Sequence, residues 1–356
     1  MKKIIVFALI ATMIFTLAAC GGKDKGSAAA GSSAAAGGSS AAAEEPAADG
    51  EVFNIIYSGT IPDETVVMQQ VHKAADLMYE RSNGRLNMTI YPNNQLTDSK
   101  GAIQGMQDGT IQVGEMSTAP IAGFTDKFQP ACLPFFFMSA QECIDFMKSD
   151  FYNETLADEV AAEIGVRPVG GWYNGPRSIS NGKRAVVTPA DCKGLKIRVM
   201  ESPIYIKTWE ALGAQPTPMS LTEVFTALQQ GTIDAQDNAP ALTVQMKFYE
   251  VQHYFTDLSY IHDVAPLMVS EQFYQSLPED LREIFVDSFK EVMDEQYELG
   301  VAEVEDHLKT MEDYGCEVTR LTDDQRAAFK DAVQPVYDWF KTEYPDLDLD
   351  AYEAAF

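Results

Sequence analysis

Two arginines stand where a guanidinium could do chemistry. In "GLKIRVM", Gly194 to Met200, the alternation sets Leu195, Ile197 and Val199 on one face of a short strand and Lys196 and Arg198 on the other. In "WYNGPRSISNGKR", Arg177 follows a Gly-Pro break and is flanked by Trp172, Tyr173, Asn174 and Ser178. A guanidinium presents a planar fork of donors that fits a carboxylate, so the chemistry open to both is capture of an organic anion. The alternative for Arg198 is solvation, the ordinary state of the charged face of a half-buried strand.

Covalent chemistry has less behind it. His72, His253, His262 and His307 are scattered, and no H-E-x-x-H, G-x-S-x-G, phosphate-loop or dinucleotide fingerprint occurs, so no catalytic residue is assigned. Cys132, Cys143, Cys192 and Cys316 form no C-x-x-C pair, and neither a metal nor a cofactor is expected. A Cys132–Cys143 bridge is open to the spacing, but buried free thiols are the reading adopted. The tail "DLDLDAYE" imitates the start of a calcium loop with Asp346, Asp348 and Asp350, yet Ala351 stands where glycine is required, so it reads as a solvated acidic end. Acidic pairs at helical spacing, such as Glu303 and Asp306, carry no weight in a chain with 53 acidic residues.

The formal charge of −27 and pI near 4.4 exclude nucleic acid and anionic lipid headgroups as partners, because both need a basic surface. An anionic ligand would need a local positive site, which returns attention to Arg198 and Arg177.

The elements that must position these arginines begin after an export segment. "MKKIIVFALIATMIFTLAAC" has Lys2 and Lys3, an apolar run from Ile4 to Leu17 and small residues ending at Cys20, the order of a secretory signal. "LAAC" also resembles a lipobox, the bacterial signal for lipid attachment at Cys20. Residues 1–19 therefore read as signal peptide. Residues 20–50 read as the lipidated cysteine and a Gly/Ser/Ala linker too poor in apolar side chains to fold. A flexible coil of about thirty residues spans roughly 30 Å. No other apolar run is long enough to cross a membrane.

The remainder exceeds what one core usually organises, so two lobes are expected, and 46% hydrophobic content supports real cores. "VFNIIYS" reads as a strand, then a helix with Val67, Val71, Ala74, Ala75 and Met78 on one side stops near Gly84. "LNMTIYP", a helix through Gln107, a break at Gly109 and the strand "TIQVGEMS" complete a β-α-β-α-β order, which implies parallel strands. "MQDGTIQVGEMSTAP" (Met106–Pro120) recurs in shortened form as "LQQGTIDAQDNAP" (Leu228–Pro240), so the lobes are similar and Asn238 is the counterpart of Ser117 and Thr118. Ligands of parallel sheets lie beyond the carboxyl ends of the strands, where these loops fall. Met219, Ser220 and Glu223 make a staple and capping box for a helix ending at Gly231, and Thr188 and Pro189 fit an N-cap and first turn. Beyond Pro278 the helical pattern runs for more than thirty residues, about 50 Å, long enough to span both lobes, with a bend expected near Gly300.

Several of these stretches together resemble one family. "YNGPRSISN", "TPADCKGLKIRV", "LGAQPTPMSLTEVFTALQQGTIDAQDN" and "KFYEVQ", in this order, are similar to the solute-binding proteins of tripartite ATP-independent periplasmic (TRAP) transporters, over most of Val52 to about Ala327. The resemblance implies a two-lobed, periplasmic-binding-protein-like α/β fold, with 51–174 and 264–303 as lobe I and 175–263 and 304–356 as lobe II. It implies that Arg198 pairs with the ligand carboxylate, that Arg177 is a second donor, and that Asn238, Ser117 and Thr60 supply polar contacts, with Trp172 beside them. Many relatives carry an aromatic residue after "PM-small", where this chain has Leu221, so the pocket wall differs and ligand identity does not transfer.

The function expected is an exported receptor, anchored to the membrane only through lipid, monomeric and without turnover, that delivers a small organic acid to a TRAP permease. "SPIYIKTWEALGAQPTPM" looks closest to relatives that bind sugar-derived or keto acids. Two other readings stay open: an exported enzyme acting on an acidic sugar, and a binding protein of an ATP-driven importer or a sensor. Turnover of a bound acid would favour the first of these, and a neighbouring TRAP permease gene would disfavour both.

Overall fold

The computed structural model describes residues 50–356, and the signal peptide, Cys20 and the linker up to residue 49 lie outside the described residues. The described chain is α/β, as expected, and its nine strands form one sheet. In chain order they are β1 (Phe53–Ser58), β2 (Leu86–Tyr91), β3 (Val113–Glu115), β4 (Val166–Asn181), β5 (Lys196–Val199), β6 (Gln215–Pro218), β7 (Ala235–Asn238), β8 (Tyr254–Ser270) and β9 (Glu317–Arg320).

The spatial order β2-β1-β3-β8-β4-β7-β5-β6, with β9 paired to β8, reads almost the same from either edge. Each half has three parallel strands, β2-β1-β3 and β6-β5-β7, separated by helical crossovers. The repeat identified above supplies the equivalent inner strands β3 and β7. What sequence reading treats as two sheets is made continuous by β4 and β8, which are 16 and 17 residues long and run antiparallel to each other through the middle. Strand β6, "QPTP", is an edge strand, where two prolines cost no ladder hydrogen bond on the open side.

Local signals are realised closely. Thr65 caps the helix Val66–Arg81 by accepting from Met68 N, and Val67, Val71, Ala74 and Met78 are buried on its inner face. Ser220 and Glu223 form the expected capping box of the helix Leu221–Gln229. Thr188 and Pro189 open only a short 3-10 turn, Pro189–Cys192, whose box is closed by Asp191 accepting from Thr188 N at 2.8 Å.

The long C-terminal helical pattern is two helices, Glu279–Ala302 and Val304–Tyr314, divided at Glu303 rather than bent at Gly300. The first packs on Val66–Arg81 and β4, burying Phe285, Phe289 and Val292, and the second packs on the helix Pro240–Gln245 and β9. Gly300 has another use: a Cβ there would lie 2.8 Å from Gln296 Nε2, and Gln296 bridges Tyr173 by donating to its carbonyl at 2.9 Å and accepting from its N–H at 3.1 Å.

The acidic tail is only partly a solvated end. Asp346, Asp348 and Asp350 are exposed, but Tyr352 in the helix Leu349–Glu353 is buried and donates to Lys127 O at 2.8 Å. Phe356 packs edge-on to Phe137 at 5.0 Å, so the chain end lies against residues assigned by sequence to lobe I. Apolar area, which alternation along a charged tail hides, decides this docking. Cys132, Cys143, Cys192 and Cys316 are all buried free thiols.

Candidate functional site

A cavity of about 340 Å³ opens at the carboxyl ends of the parallel strands of both halves. Thr60 follows β1, Ser117 follows β3, Met200 follows β5, Leu221 follows β6 and Asn238 ends β7, so the crossover topology itself gathers them. Arg198, Arg177, Asn238, Ser117, Thr60 and Leu221 all line it.

Trp172 does not, and that expectation is corrected. It is fully buried and packs edge-on against Phe289 at 6.3 Å. Neighbouring Asn174 reaches the cavity because β4 bulges between Tyr173 and Pro176. Gly175 makes that bulge with φ +92°, and a Cβ there would approach Ala239 Cβ to 3.0 Å, so only glycine fits comfortably.

The two arginines are differently placed. Arg198 is 4% exposed while Lys196, on the same face of β5, is exposed, so the solvated-face alternative fails for Arg198. Its Nε donates to Met219 O at 2.9 Å, and among the described residues no carboxylate lies within 4 Å. Burial pulls its pKa down to about 10; Asp237 opposes this and the charge of Arg177 reinforces it. It remains a cation at neutral pH, and its terminal nitrogens have no hydrogen-bond partner among the described residues.

Arg177 is matched. Its Nε donates to Asp237 Oδ2 at 2.9 Å, Nη1 to Asp263 Oδ2 at 3.4 Å, and Nη2 to Asp237 O. The guanidinium also sits over the Tyr205 ring at 5.4 Å, and Tyr260 Oη donates to Asp237 Oδ2. Burial alone would lower the pKa of Arg177, but Asp237, Tyr205 and Asp263 hold it well above the ordinary value. The expected second donor thus has most of its fork turned inward.

Three buried acids that sequence reading missed support the wall. Glu115 accepts from Thr60 N and Oγ1 and from Ile61 N, fixing the loop after β1; burial raises its pKa against those hydrogen bonds. Asp263 accepts from Ser117 Oγ at 3.1 Å and Asn174 Nδ2 at 2.9 Å, and burial likewise raises its pKa. Asp237 is the third. The repeat carries a signal for two of them: Glu115 and Asp237 each stand six residues after the glycine of their "GTI", Gly109 and Gly231.

At the rim, Lys100 and Glu201, from opposite halves, form an ion pair beside the cavity. A second crevice, near Gly175 and Gln296, has about 30 Å³, too little for an organic acid. No group of three or more metal-ligating side chains was found among the described residues.

An α/β sheet with a polar cavity at the carboxyl ends of two parallel strand sets is the architecture of a small-molecule binding protein. The chain belongs to the DctP family, described as "Bacterial extracellular solute-binding protein, family 7", which matches residues 57–343. It is 30% identical over 290 residues to the 2,3-diketo-L-gulonate-binding periplasmic protein of Escherichia coli, covering 79% of this chain and 86% of that one. It is 31% identical over 278 residues to the C4-dicarboxylate-binding periplasmic protein of Vibrio cholerae, covering 78% and 81%. A TRAP periplasmic solute-binding protein of Ralstonia eutropha, solved with bound (S)-2-acetolactate, superposes with a TM-score of 0.78 at 28% identity, covering 85% of this chain and 98% of that one. The family is one of transport proteins rather than enzymes. No helix among the described residues is long and apolar enough to cross a membrane.

Proposed function

We propose that this protein captures an organic acid anion, a sugar acid, keto acid or dicarboxylate, through an Arg198–carboxylate pair and delivers it to a TRAP-type permease without turnover. The observation that carries the reading is a buried guanidinium with no counter-ion in the wall of a cavity large enough for such a ligand. A charge-assisted bond contributes roughly 1.5–3 kcal/mol, and a carboxylate accepts two from one fork.

Arg177 flanks that pair with its charge already matched, Asn238, Ser117 and Thr60 contact the rest of the ligand, and Leu221 shapes the wall. Residues 51–174 with 264–303, and 175–263 with 304–348, act as lobes that close on the ligand about the bulged middle of β4, the chain end from Leu349 staying docked on the first lobe through Tyr352 and Phe356. The mature protein is exported, monomeric and held by lipid on Cys20, with residues 21–50 as its tether.

Thermal unfolding against a panel of uronates, aldonates, keto acids and dicarboxylates tests the reading. A ligand at about one hundred times its Kd adds about 2.7 kcal/mol, a shift of at least several degrees. A shift by neutral sugars or peptides with none from any acid would overturn it.

A further inference from the structure

Three side chains in the cavity wall have donor hydrogens turned away from the cavity. Thr60 Oγ1 lies 3.1 Å from both carboxylate oxygens of Glu115. Ser117 Oγ lies 3.1 Å, and Asn174 Nδ2 2.9 Å, from Asp263 Oδ2. Both acids are 1% exposed, and the oxygens concerned already accept from N–H groups, Glu115 Oε1 from Thr60 N and Ile61 N and Asp263 Oδ2 from Asn174 Nδ2 and Arg177 Nη1, so they face the hydroxyls as acceptors. The hydroxyl hydrogens of Thr60 and Ser117 and one amide hydrogen of Asn174 are therefore committed inward. What the two hydroxyls keep for the cavity is lone pairs, and the Asn174 carbonyl oxygen has no hydrogen-bond partner among the described residues.

At these three positions the wall offers acceptors, and beside them stands one unmatched cation. The other cations of the cavity are matched, Arg177 by Asp237 and Asp263, and Lys100 by Glu201. We infer that the ligand is a hydroxy acid with a single carboxylate, which places that carboxylate on Arg198 and donates hydroxyl hydrogens to Thr60, Ser117 and Asn174. A keto oxygen or a second carboxylate would bring lone pairs against lone pairs there, and a second carboxylate would find no free cation. This rests on the organic-acid reading above and narrows it.

Calorimetric titration of the purified protein with galactonate, gluconate and galacturonate, against succinate, adipate and 2-oxohexanoate, tests it. The tightest binder is expected among the hydroxy acids by at least tenfold, since each neutral hydrogen bond contributes up to about tenfold in affinity. A dicarboxylate or unhydroxylated keto acid as tightest binder overturns the inference and leaves the organic-acid reading standing; no binding by any acid overturns both. Ser117→Ala should weaken the best hydroxy acid about tenfold and adipate by clearly less, with Thr60→Val as an independent second variant. An equal loss for both ligand types would show a merely structural role and contradict the assignment.

Discussion

Arg198 and Arg177 line one cavity, yet among the described residues only Arg177 has carboxylate partners. The difference follows from register: Arg198 pairs with Gln236 across β5 and β7, and the next residue, Asp237, is taken up by Arg177 from β4. One guanidinium is thereby built into the scaffold, and the other faces the cavity with no carboxylate beside it among the described residues.

Removing a scaffold partner should be costly. Asp237→Ala keeps the backbone carbonyl that Arg177 Nη2 reaches but leaves the longer contact to Asp263 as its only carboxylate in a fully buried site, and is expected to destabilise by about 3–5 kcal/mol. Urea unfolding measures it; a loss under about 1 kcal/mol would mean that the pair is dispensable.

Acid should weaken the fold through His262. Burial, with the charge of Arg326 adding to it, lowers the pKa of this imidazole from 6.5 to about 4, and Tyr173 Oη lies 2.8 Å from its Nδ1. The folded state keeps His262 neutral while the unfolded chain protonates, so this stability is intact above pH 6.5 and is lost as pH falls towards 4. Between pH 7 and 5 the loss is about 2 kcal/mol. His262→Gln should remove that part of the pH dependence, and an unchanged slope would contradict the assignment.

How far the sequence reached can be judged residue by residue. Short-range features were legible: the Ser220–Glu223 box, the Thr65-capped helix and the strand alternation around Arg198 depend on neighbours a few residues apart. The repeat also placed Ser117 and Asn238 at equivalent strand ends. The single continuous sheet was not legible, because the β4–β8 pairing joins residues about a hundred positions apart, such as Arg167 and Val269. Nor were Asp237 and Asp263, which meet Arg177 across 60 and 86 residues of chain. Among 53 acids an isolated aspartate in a strand has no local signature. Trp172 was misplaced because composition cannot tell which way a bulged strand turns each side chain.

Membrane retention should depend on one thiol. Cys20→Ser is expected to move the protein from the membrane to the soluble fraction, read by fractionation and immunoblotting. Retention unchanged in the variant would sink the lipid anchor.

The most direct test of the central claim is calorimetry and unfolding of Arg198→Lys and Arg198→Met beside the unsubstituted protein. Lysine keeps a charge without the fork and should weaken the best acid roughly 10- to 100-fold, while methionine should abolish detectable binding. Because the buried Arg198 has no counter-ion when unliganded, Arg198→Met should leave unliganded stability unchanged or higher. Undiminished affinity in either variant, or a loss of several kcal/mol in unliganded stability for Arg198→Met, would contradict the account and make Arg198 a structural residue.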